Sequence, residues 1–281
     1  MTDTATSSNG PRITVPQVRA RKRSRGDEPL VMLTAYDTPG ARIADAAEVD
    51  IILVGDSLAN AVLGYADTLQ VDIGVMAHHV GAVARAEPRA LVVGDMPWLS
   101  YHVSVEDAVR NAAVLIRAGA QAVKLEGGRV RLGVIEALLN AEIPVMGHLG
   151  LTPQSVLAMG GYKVQARDTA AGEALVNDAK AIAAAGCFSI VLEGVPDVVA
   201  ARVTDQVDVP TIGIGAGVGC DGQVLVFHDL LGLRQGAPAK FVRQYADLTS
   251  AAVTAVSSWA ADVRAGTFPS EAETYHLPAE R

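Results

Sequence analysis

The chain is poor in aromatic residues, in cysteine and in charge. Of its 281 residues, 4% are aromatic and 19% are charged, whereas 50% are hydrophobic. Such a composition can form a large core and excludes disorder as the dominant state. With few aromatic residues, that core must be built from Ala, Val, Leu and Ile. The two cysteines, Cys187 and Cys220, do not make a disulfide framework, which indicates a reducing compartment.

Long hydrophobic runs and an excess of positive charge are also absent. The longest nearly apolar run, residues 181–192, ends at Glu193 and falls short of the roughly 18 residues that suggest a membrane span. The polar N-terminus lacks the apolar segment of a secretory signal. With 23 Lys and Arg against 31 Asp and Glu, the chain is a poor match for nucleic-acid phosphates. We therefore expect a cytoplasmic protein that binds neither membranes nor nucleic acids.

One basic segment, RARKRSRG at residues 19–26, departs from this acidic background. An arm that contacts nucleic acid is one interpretation. The other is a short amphipathic helix that turns Val15 and Val18 inward and leaves its charges in solvent. The acidic remainder of the chain favours the second interpretation.

From residue 30 onward one pattern repeats. A short apolar run bounded by Gly, Pro or Asp, typical of buried parallel strands, is followed by a stretch of helical periodicity. Eight such units predict a (β/α)8 TIM barrel, with a doubly wound open sheet as the alternative. The runs are 30–37, 50–57, 90–97, 122–128, 143–150, 188–195, 210–217 and 223–229.

This pattern divides the chain into three parts. We expect an N-terminal tail with a short helix at 1–29, a barrel catalytic domain at 30–268 and a C-terminal tail at 269–281. The last helix of the barrel domain is expected to carry apolar residues spaced by three and four, from Phe241 and Tyr245 to Val263, and to end at Gly266.

Polar residues end most of the apolar runs, where the active sites of TIM barrels lie. A single carboxylate there can simply cap the next helix, but six around one barrel would repel one another unless a cation neutralises them. An oxygen-rich set without a Cys-His cluster favours Mg²⁺ or Mn²⁺ over zinc. Since Mg²⁺ takes one or two carboxylates directly, not all six can be ligands. The six are Asp37, Asp56, Asp95, Glu126, Glu193 and Asp229.

Two further strand residues are candidates for the site. Lys124 lies two residues before Glu126 in one strand, so both side chains face the same side. A lysine inside a barrel could form a Schiff base, but the nearby acidic residues favour a charged role that holds a substrate carboxylate. His148 follows the fifth run and either lines the site or is simply a hydrogen-bonded residue at the barrel opening.

Two weaker motifs remain. The glycines of GIGAG at residues 213–217 could cradle a phosphate through backbone N–H groups or could serve close helix–strand packing. Cys220 could be a nucleophile, but no basic partner lies near it in sequence.

Read together, the run-end motifs resemble the ketopantoate hydroxymethyltransferase family. The resemblance covers about residues 14–268, and GHLGLTPQS (147–155) followed by GGYKVQ (160–165) is its most specific part. It implies a barrel of the phosphoenolpyruvate-mutase-like group and pentamer-based decamers. The other matching motifs are VGDS (54–57), GDMP (94–97), VKLEGG (123–128), VLEGVP (191–196) and GIGAG with CDGQVLV (213–226).

The resemblance also implies a reaction and residue roles. A one-carbon unit moves from 5,10-methylenetetrahydrofolate to 3-methyl-2-oxobutanoate through a Mg²⁺-stabilised enolate. The product, 2-dehydropantoate, serves pantothenate and coenzyme A synthesis. Glu193 corresponds to the proton acceptor, although it could instead cap the helix after it. The implied Mg²⁺ ligands are Asp56, Asp95 and, through a water, Glu126. The implied keto-acid binders are Asp56, Ser57, Asp95 and Lys124.

Two other functions stay open at this point. A Mg²⁺-dependent C–C lyase or mutase of the same superfold would act on a phosphonate or a dicarboxylate, and phosphate binding by GIGAG would support it. A non-catalytic ligand-binding or scaffold barrel would use the basic segment as a partner contact. Converging carboxylates count against this second alternative, since a scaffold has no use for them.

Overall fold

The computed structural model describes residues 10–22, 26–234 and 236–277. Eight parallel strands pair in sequence order, and the first pairs with the last, so the sheet closes into a barrel. The predicted TIM barrel is confirmed and the open sheet is wrong. The strands are β1 Leu30–Thr34, β2 Ile51–Val54, β3 Leu91–Asp95, β4 Ala122–Glu126, β5 Val145–Gly150, β6 Ser189–Glu193, β7 Thr211–Ile214 and β8 Gly222–Leu225.

Helices connect most of the strands, and side-chain caps start several of them. The helices are α1 Val15–Ala20, α2 Thr38–Ala46, α3 Leu58–Ala61, α4 Ile73–Ala84, α5 Val105–Ala118, α6 Leu132–Asn140, α7 Val156–Met159, α8 Thr169–Ala185, α9 Asp197–Gln206, α10 Phe227–Leu231 and α11 Leu248–Ala265. Asp72, Ser104 and Asp168 each accept a hydrogen bond from the first turn of α4, α5 and α8, respectively. These caps satisfy backbone N–H groups that a helix start leaves unpaired.

The alternation of strand and helix is broken between β7 and β8. Residues 215–221, all described, connect the two strands without the expected helix. Gly215 and Gly217 have φ values of +62° and +78°, which favour glycine. A Cβ on Gly217 would lie 2.5 Å from the Cβ of Asp197. A tight turn and close packing therefore account for these two glycines of GIGAG without a phosphate.

The interior of the barrel is aliphatic, as the low aromatic content predicts. Residues of neighbouring strands, such as Met32, Leu53 and Val93, form one buried cluster. Val18 of α1 belongs to the same cluster, and Val15 packs against it. Because the cluster includes residues at the start of several strands, α1 covers the N-terminal end of the barrel. The amphipathic-helix interpretation of this segment is therefore confirmed for Val15 and Val18.

The basic segment after α1 is not wholly in solvent, which corrects the expectation for its charges. Lys22 Nζ donates to Asp221 Oδ2 at 2.8 Å and to the Thr204 carbonyl at 2.7 Å. Both charged side chains are buried, so this lysine attaches the N-terminal segment to the barrel. Arg23 and Arg25 lie outside the described residues.

The C-terminal part differs from the prediction in two respects. The eighth strand ends before Asp229, which lies in α10. Helix α11 ends at Gly266 as expected, but it begins only after Phe241 and Tyr245. Among the residues that the structure describes, α11 buries none of its own side chains.

The chain divides into two compact units, one up to Phe227 with all eight strands and one from His228 onward. The predicted barrel domain at 30–268 and the tails at 1–29 and 269–281 stay predictions. In the described ranges, no helix combines the length and the apolar character needed to cross a bilayer.

Candidate active site

Side chains from five consecutive strands lie at the C-terminal end of the barrel, called here the barrel mouth. Strand pairing brings Asp95 beside Lys124 and Glu126 beside His148. Each belongs to a strand that is buried at nearly every position. The residues at the barrel mouth are Asp56 and Ser57 after β2, Asp95 in β3, Lys124 and Glu126 in β4, His148 in β5 and Glu193 in β6.

Lys124 is a buried cation among carboxylates. Its Nζ lies 2.8 Å from Asp95 Oδ1. Burial acts to lower the pKa of Lys124, but the carboxylates around it outweigh burial and hold this pKa above its ordinary value. A protonated amine is not a nucleophile, so an environment that favours the protonated form favours the non-covalent role over a Schiff base. The carboxylates responsible are those of Asp95, Glu126 and Asp56.

Asp56 and Asp95 are buried neighbours. The Asp56 backbone N–H donates to Asp95 Oδ2 at 3.1 Å. Burial raises the pKa of both carboxyl groups, and the charges of Asp95 and Glu126 raise the pKa of Asp56 further. From the residues that the structure describes, Asp95 Oδ1 accepts no hydrogen bond of regular geometry, although Lys124 Nζ lies 2.8 Å away. A cation close to this pair would favour the ionised forms.

His148 lies between the carboxylates of β4 and β6. Its Nδ1 is 3.4 Å from Glu126 Oε1, and its Nε2 is 3.2 Å from Glu193 Oε2. Burial and Lys124 act to lower the pKa of His148, but the two carboxylates outweigh them and raise it to about 9. Both nitrogens of an imidazolium are donors. The 3.2 Å approach of Lys124 Nζ to Nδ1 is therefore a contact between cations when His148 is protonated.

The Glu193 side chain is more accessible to solvent than the side chains of Asp95 and Glu126. Its side chain is 16% exposed, against 1% for Asp95 and 3% for Glu126. In the described part of the chain it contacts His148 and makes no hydrogen bond to α9, whose N-cap is Pro196. The structure thus favours a site role over the helix-cap alternative.

Of the six strand-end carboxylates, the structure brings Asp56, Asp95, Glu126 and Glu193 together around Lys124 and His148. Asp37 accepts a hydrogen bond from Gly40 N at 2.7 Å and is the N-cap of α2. Asp229 belongs to the second compact unit. Ser57 follows β2 at the barrel mouth, with its Oγ 2.8 Å from Tyr36 Oη.

Two buried polar residues at the site were missed by the sequence analysis, Gln154 and Tyr101. Gln154 Nε2 donates to Asp56 Oδ2 and to the Met96 carbonyl, each at 2.9 Å. Its backbone N–H donates to Glu126 Oε2 at 3.1 Å. Tyr101 Oη donates to Gln154 Oε1 at 2.6 Å. The motif GHLGLTPQS contains Gln154 and could have pointed to it, whereas no motif marked Tyr101.

The charge balance at the barrel mouth suits a divalent cation. Counted in their ionised forms, the four carboxylates exceed the two cations, Lys124 and His148, by two charges. No group of three or more His, Cys, Asp or Glu is arranged to hold a metal ion within the described ranges, so the expected set of Asp56, Asp95 and Glu126 is not seen as one group. Mg²⁺ needs only one or two carboxylates and keeps its waters. The Asp56–Asp95 pair is therefore sufficient for it.

Neither cysteine has the environment of a nucleophile. Both are buried and form no disulfide. Burial raises the pKa of Cys187 to about 12 and also raises the pKa of Cys220. Because the thiolate is the nucleophile, the structure gives no support to a nucleophilic Cys220.

The fold has known counterparts among solved structures. Phosphoenolpyruvate phosphomutase from Streptomyces platensis subsp. rosaceus is similar with a TM-score of 0.60 at 18% identity, covering 94% of this chain and 92% of that chain. A 2,3-dimethylmalate lyase of the PEP mutase/isocitrate lyase superfamily is similar with a TM-score of 0.58 at 18% identity, covering 94% and 93%. At this identity the likeness shows the fold alone, and it confirms the expected phosphoenolpyruvate-mutase-like barrel.

Sequence relatives are much closer. A 3-methyl-2-oxobutanoate hydroxymethyltransferase of Methylobacterium sp. (strain 4-46) is 56% identical over 265 residues, 94% of this chain and 91% of the relative. One of Moorella thermoacetica (strain ATCC 39073 / JCM 9320) is 54% identical over 94% of this chain and 98% of its own. A family model described as Ketopantoate hydroxymethyltransferase matches residues 12–271. The chain therefore belongs to the ketopantoate hydroxymethyltransferase family.

Proposed function

We propose that this protein transfers a hydroxymethyl group from 5,10-methylenetetrahydrofolate to 3-methyl-2-oxobutanoate, forming 2-dehydropantoate for pantothenate and coenzyme A synthesis. The observation that carries the proposal is the barrel mouth, where a buried lysine and a carboxylate pair share one site with a more accessible carboxylate. A keto acid requires a cation for its carboxylate and a base for the C–H next to its ketone. The relatives' names support the choice of this keto acid.

Mg²⁺ is the proposed cofactor, with Asp56 and Asp95 as ligands and Glu126 acting through a water. A bound Mg²⁺ would supply Lewis-acid chemistry that makes the C3–H of the keto acid more acidic. Lys124, held by Asp95 at 2.8 Å, presents its charge to the substrate carboxylate. The Ser57 hydroxyl adds a hydrogen bond that helps to orient the substrate.

Glu193 is the proposed base. It ends β6, several strands away in the barrel from the residues that follow or end β2 and β3, so it approaches the substrate from another side. Its carboxylate removes the C3 proton, and C3 then forms a C–C bond to the methylene carbon of the folate as one of the two bonds from that carbon to nitrogen breaks. Water then displaces the second nitrogen and supplies the hydroxyl oxygen. Tetrahydrofolate leaves with both nitrogens protonated, one by the proton taken from C3 and one by the proton released from water. His148 holds Glu193 in place through the 3.2 Å contact.

Product formation tests this proposal directly. The purified chain, supplied with both substrates and Mg²⁺, should form 2-dehydropantoate, detected by NMR. Chelation should abolish turnover, and added Mg²⁺ should restore it. No product, together with cleavage of phosphonopyruvate or 2,3-dimethylmalate, would instead establish a lyase or mutase of the same superfold.

The proposal extends to assembly and location. Exposed apolar side chains on α11, such as Val256 and Trp259 at 60% and 53%, support a contact with further copies and thus the homo-oligomer, a decamer, that the family resemblance implies. Light scattering after size-exclusion chromatography measures the assembly, and a monomeric mass would contradict it. The two cysteines that form no disulfide support a cytoplasmic location.

A further inference from the structure

A continuous series of hydrogen bonds joins two acidic residues at the barrel mouth. The Glu126 backbone N–H lies 3.2 Å from Tyr101 Oη, which lies 2.6 Å from Gln154 Oε1. At the other end of the amide, Gln154 Nε2 lies 2.9 Å from both Asp56 Oδ2 and the Met96 carbonyl. The side chains of Tyr101, Gln154 and Asp56 are all buried. The series therefore excludes solvent as a competing partner.

The direction of each hydrogen bond follows from the groups that can act in only one way. The Glu126 backbone N–H can only donate, and the Met96 carbonyl can only accept. The amide end beside Met96 must therefore be Nε2, which donates to that carbonyl and to Asp56 Oδ2. This settles two ends of a side-chain amide that are otherwise interchangeable. Tyr101 then accepts from the Glu126 N–H and donates its single proton to Gln154 Oε1, which anchors the amide in that orientation.

Gln154 fixes one oxygen of each of two acidic side chains. Its side chain donates to Asp56 Oδ2, and its backbone N–H donates to Glu126 Oε2 at 3.1 Å. These acidic residues come from different parts of the barrel, after β2 and in β4. The amide therefore holds the Asp56 carboxyl group in one orientation.

We propose that Gln154 is a positioning residue that holds Asp56 ready to bind a divalent cation, and that Tyr101 acts through Gln154 by fixing its amide. This inference rests on the proposed function, in which Asp56 is a cation ligand. With Oδ2 held by the amide, Oδ1 is left for the cation. Partners behind metal ligands are typically worth about 10–100-fold in metal affinity.

A double-mutant cycle on the full chain tests the inference, with the Mn²⁺ dissociation constant measured by electron paramagnetic resonance without keto acid or folate. Gln154→Met keeps the length of the side chain and removes its donors, and Tyr101→Phe removes only the hydroxyl. We expect Gln154→Met to weaken Mn²⁺ binding by about 10–100-fold and Tyr101→Phe to weaken it less. Adding Tyr101→Phe to Gln154→Met should change the constant little further, because the tyrosine acts through the amide.

Gln121→Met is the matched control. Gln121 Oε1 accepts a hydrogen bond from Val92 N near the start of β3, so its loss should leave Mn²⁺ affinity unchanged. Thermal unfolding of each variant separates a folding role from a binding role. Lowered melting temperatures with unchanged Mn²⁺ affinity in both single variants would contradict the inference, and so would losses that simply multiply in the double variant.

The outcome is separable from that of the proposed reaction. A wild-type chain that binds Mn²⁺ and shows the expected cycle, yet forms no 2-dehydropantoate, would refute the reaction and leave the positioning role in place. A wild-type chain that binds no Mn²⁺ would overturn the positioning role itself.

Discussion

Lys124 shows at the scale of one residue how the surroundings select among the reactions open to a side chain. From the sequence, a lysine inside a barrel strand is compatible with a Schiff base or with a bound anion. In the structure its Nζ lies 2.8 Å from Asp95 Oδ1, and the nearby carboxylates hold its pKa above the ordinary value. A lysine that forms a Schiff base needs a lowered pKa, because it must lose its proton before it can act as a nucleophile. The position of Lys124 inside a barrel strand was therefore predictable from the sequence. Its protonation state depends on contacts with carboxylates that only the fold creates.

Lys124→Met tests this role. The variant keeps an unbranched side chain of similar length and removes the charge, so the KM for the keto acid should rise by roughly tenfold or more. Steady-state kinetics measure the effect. In parallel, borohydride added to the wild-type protein with the keto acid should trap no adduct. A trapped adduct mapped to Lys124 by mass spectrometry would restore the Schiff-base alternative.

The cysteines provide a second test at this scale. With its pKa raised to about 12, Cys187 holds only about one part in ten thousand as thiolate at pH 8, and the side chain is buried. Cys220 is also buried, with a raised pKa. The folded protein should therefore resist a thiol reagent that labels both cysteines after denaturation in urea. Rapid labelling of the native protein would show that one thiol is accessible and ionised.

At the scale of the elements, apolar runs predicted the strands well because most strands are buried on both sides, β1 and β8 being the exceptions with one exposed position each. The helices were harder to predict. A short connection without a helix suffices between β7 and β8, and the apolar pattern assigned to α11 begins several residues before the helix itself starts. The same limit applies to strand-end carboxylates. Asp37 caps α2 and Asp56 faces the barrel mouth, although both follow a strand. Which role is taken depends on packing between elements that are distant in sequence.

The attachment of α1 to the barrel leads to a prediction on stability. Asp221→Asn leaves the buried Lys22 without its charged partner, and breaking such a pair typically costs about 3–5 kcal/mol. Urea unfolding should show a loss of this size. Asp107→Asn is a matched control, because it removes an exposed ion pair with Arg110 worth about 0–1 kcal/mol. Equal stability of the two variants would contradict a structural role for the buried pair.

Over the whole molecule, the acidic barrel mouth couples stability to pH. His148 has a pKa of about 9 when folded, against an ordinary value of 6.5. A group with a raised folded pKa stabilises the fold at low pH, and this contribution disappears as the pH rises through the folded value. The raised pKa values of Asp56 and Asp95 also make the fold less stable as the pH rises. Their contribution begins to disappear at a lower pH, because the ordinary pKa of a carboxyl group is lower than that of histidine.

Protein kept in chelator should therefore lose stability as the pH rises from 6.5 to 9, by about 3 kcal/mol from His148. Urea unfolding at several pH values measures this loss. His148→Gln should remove most of the pH dependence in this range, and added Mg²⁺ should stabilise the wild type more at pH 9 than at pH 6.5 because it binds the ionised carboxylates. A pH dependence that is unchanged in His148→Gln would contradict the assignment.

The proposed reaction depends on Glu193 removing a proton from C3 of the keto acid. The most direct measurement is hydrogen–deuterium exchange at C3 of 3-methyl-2-oxobutanoate in D₂O with Mg²⁺, followed by NMR for the wild type and for Glu193→Gln. The wild type should catalyse exchange, and the variant should lose it by roughly 10²–10⁴-fold while it keeps its melting temperature and its Mn²⁺ affinity. Exchange at a near-normal rate in a folded, Mn²⁺-binding Glu193→Gln variant would show that the base is another residue and would contradict the proposed mechanism.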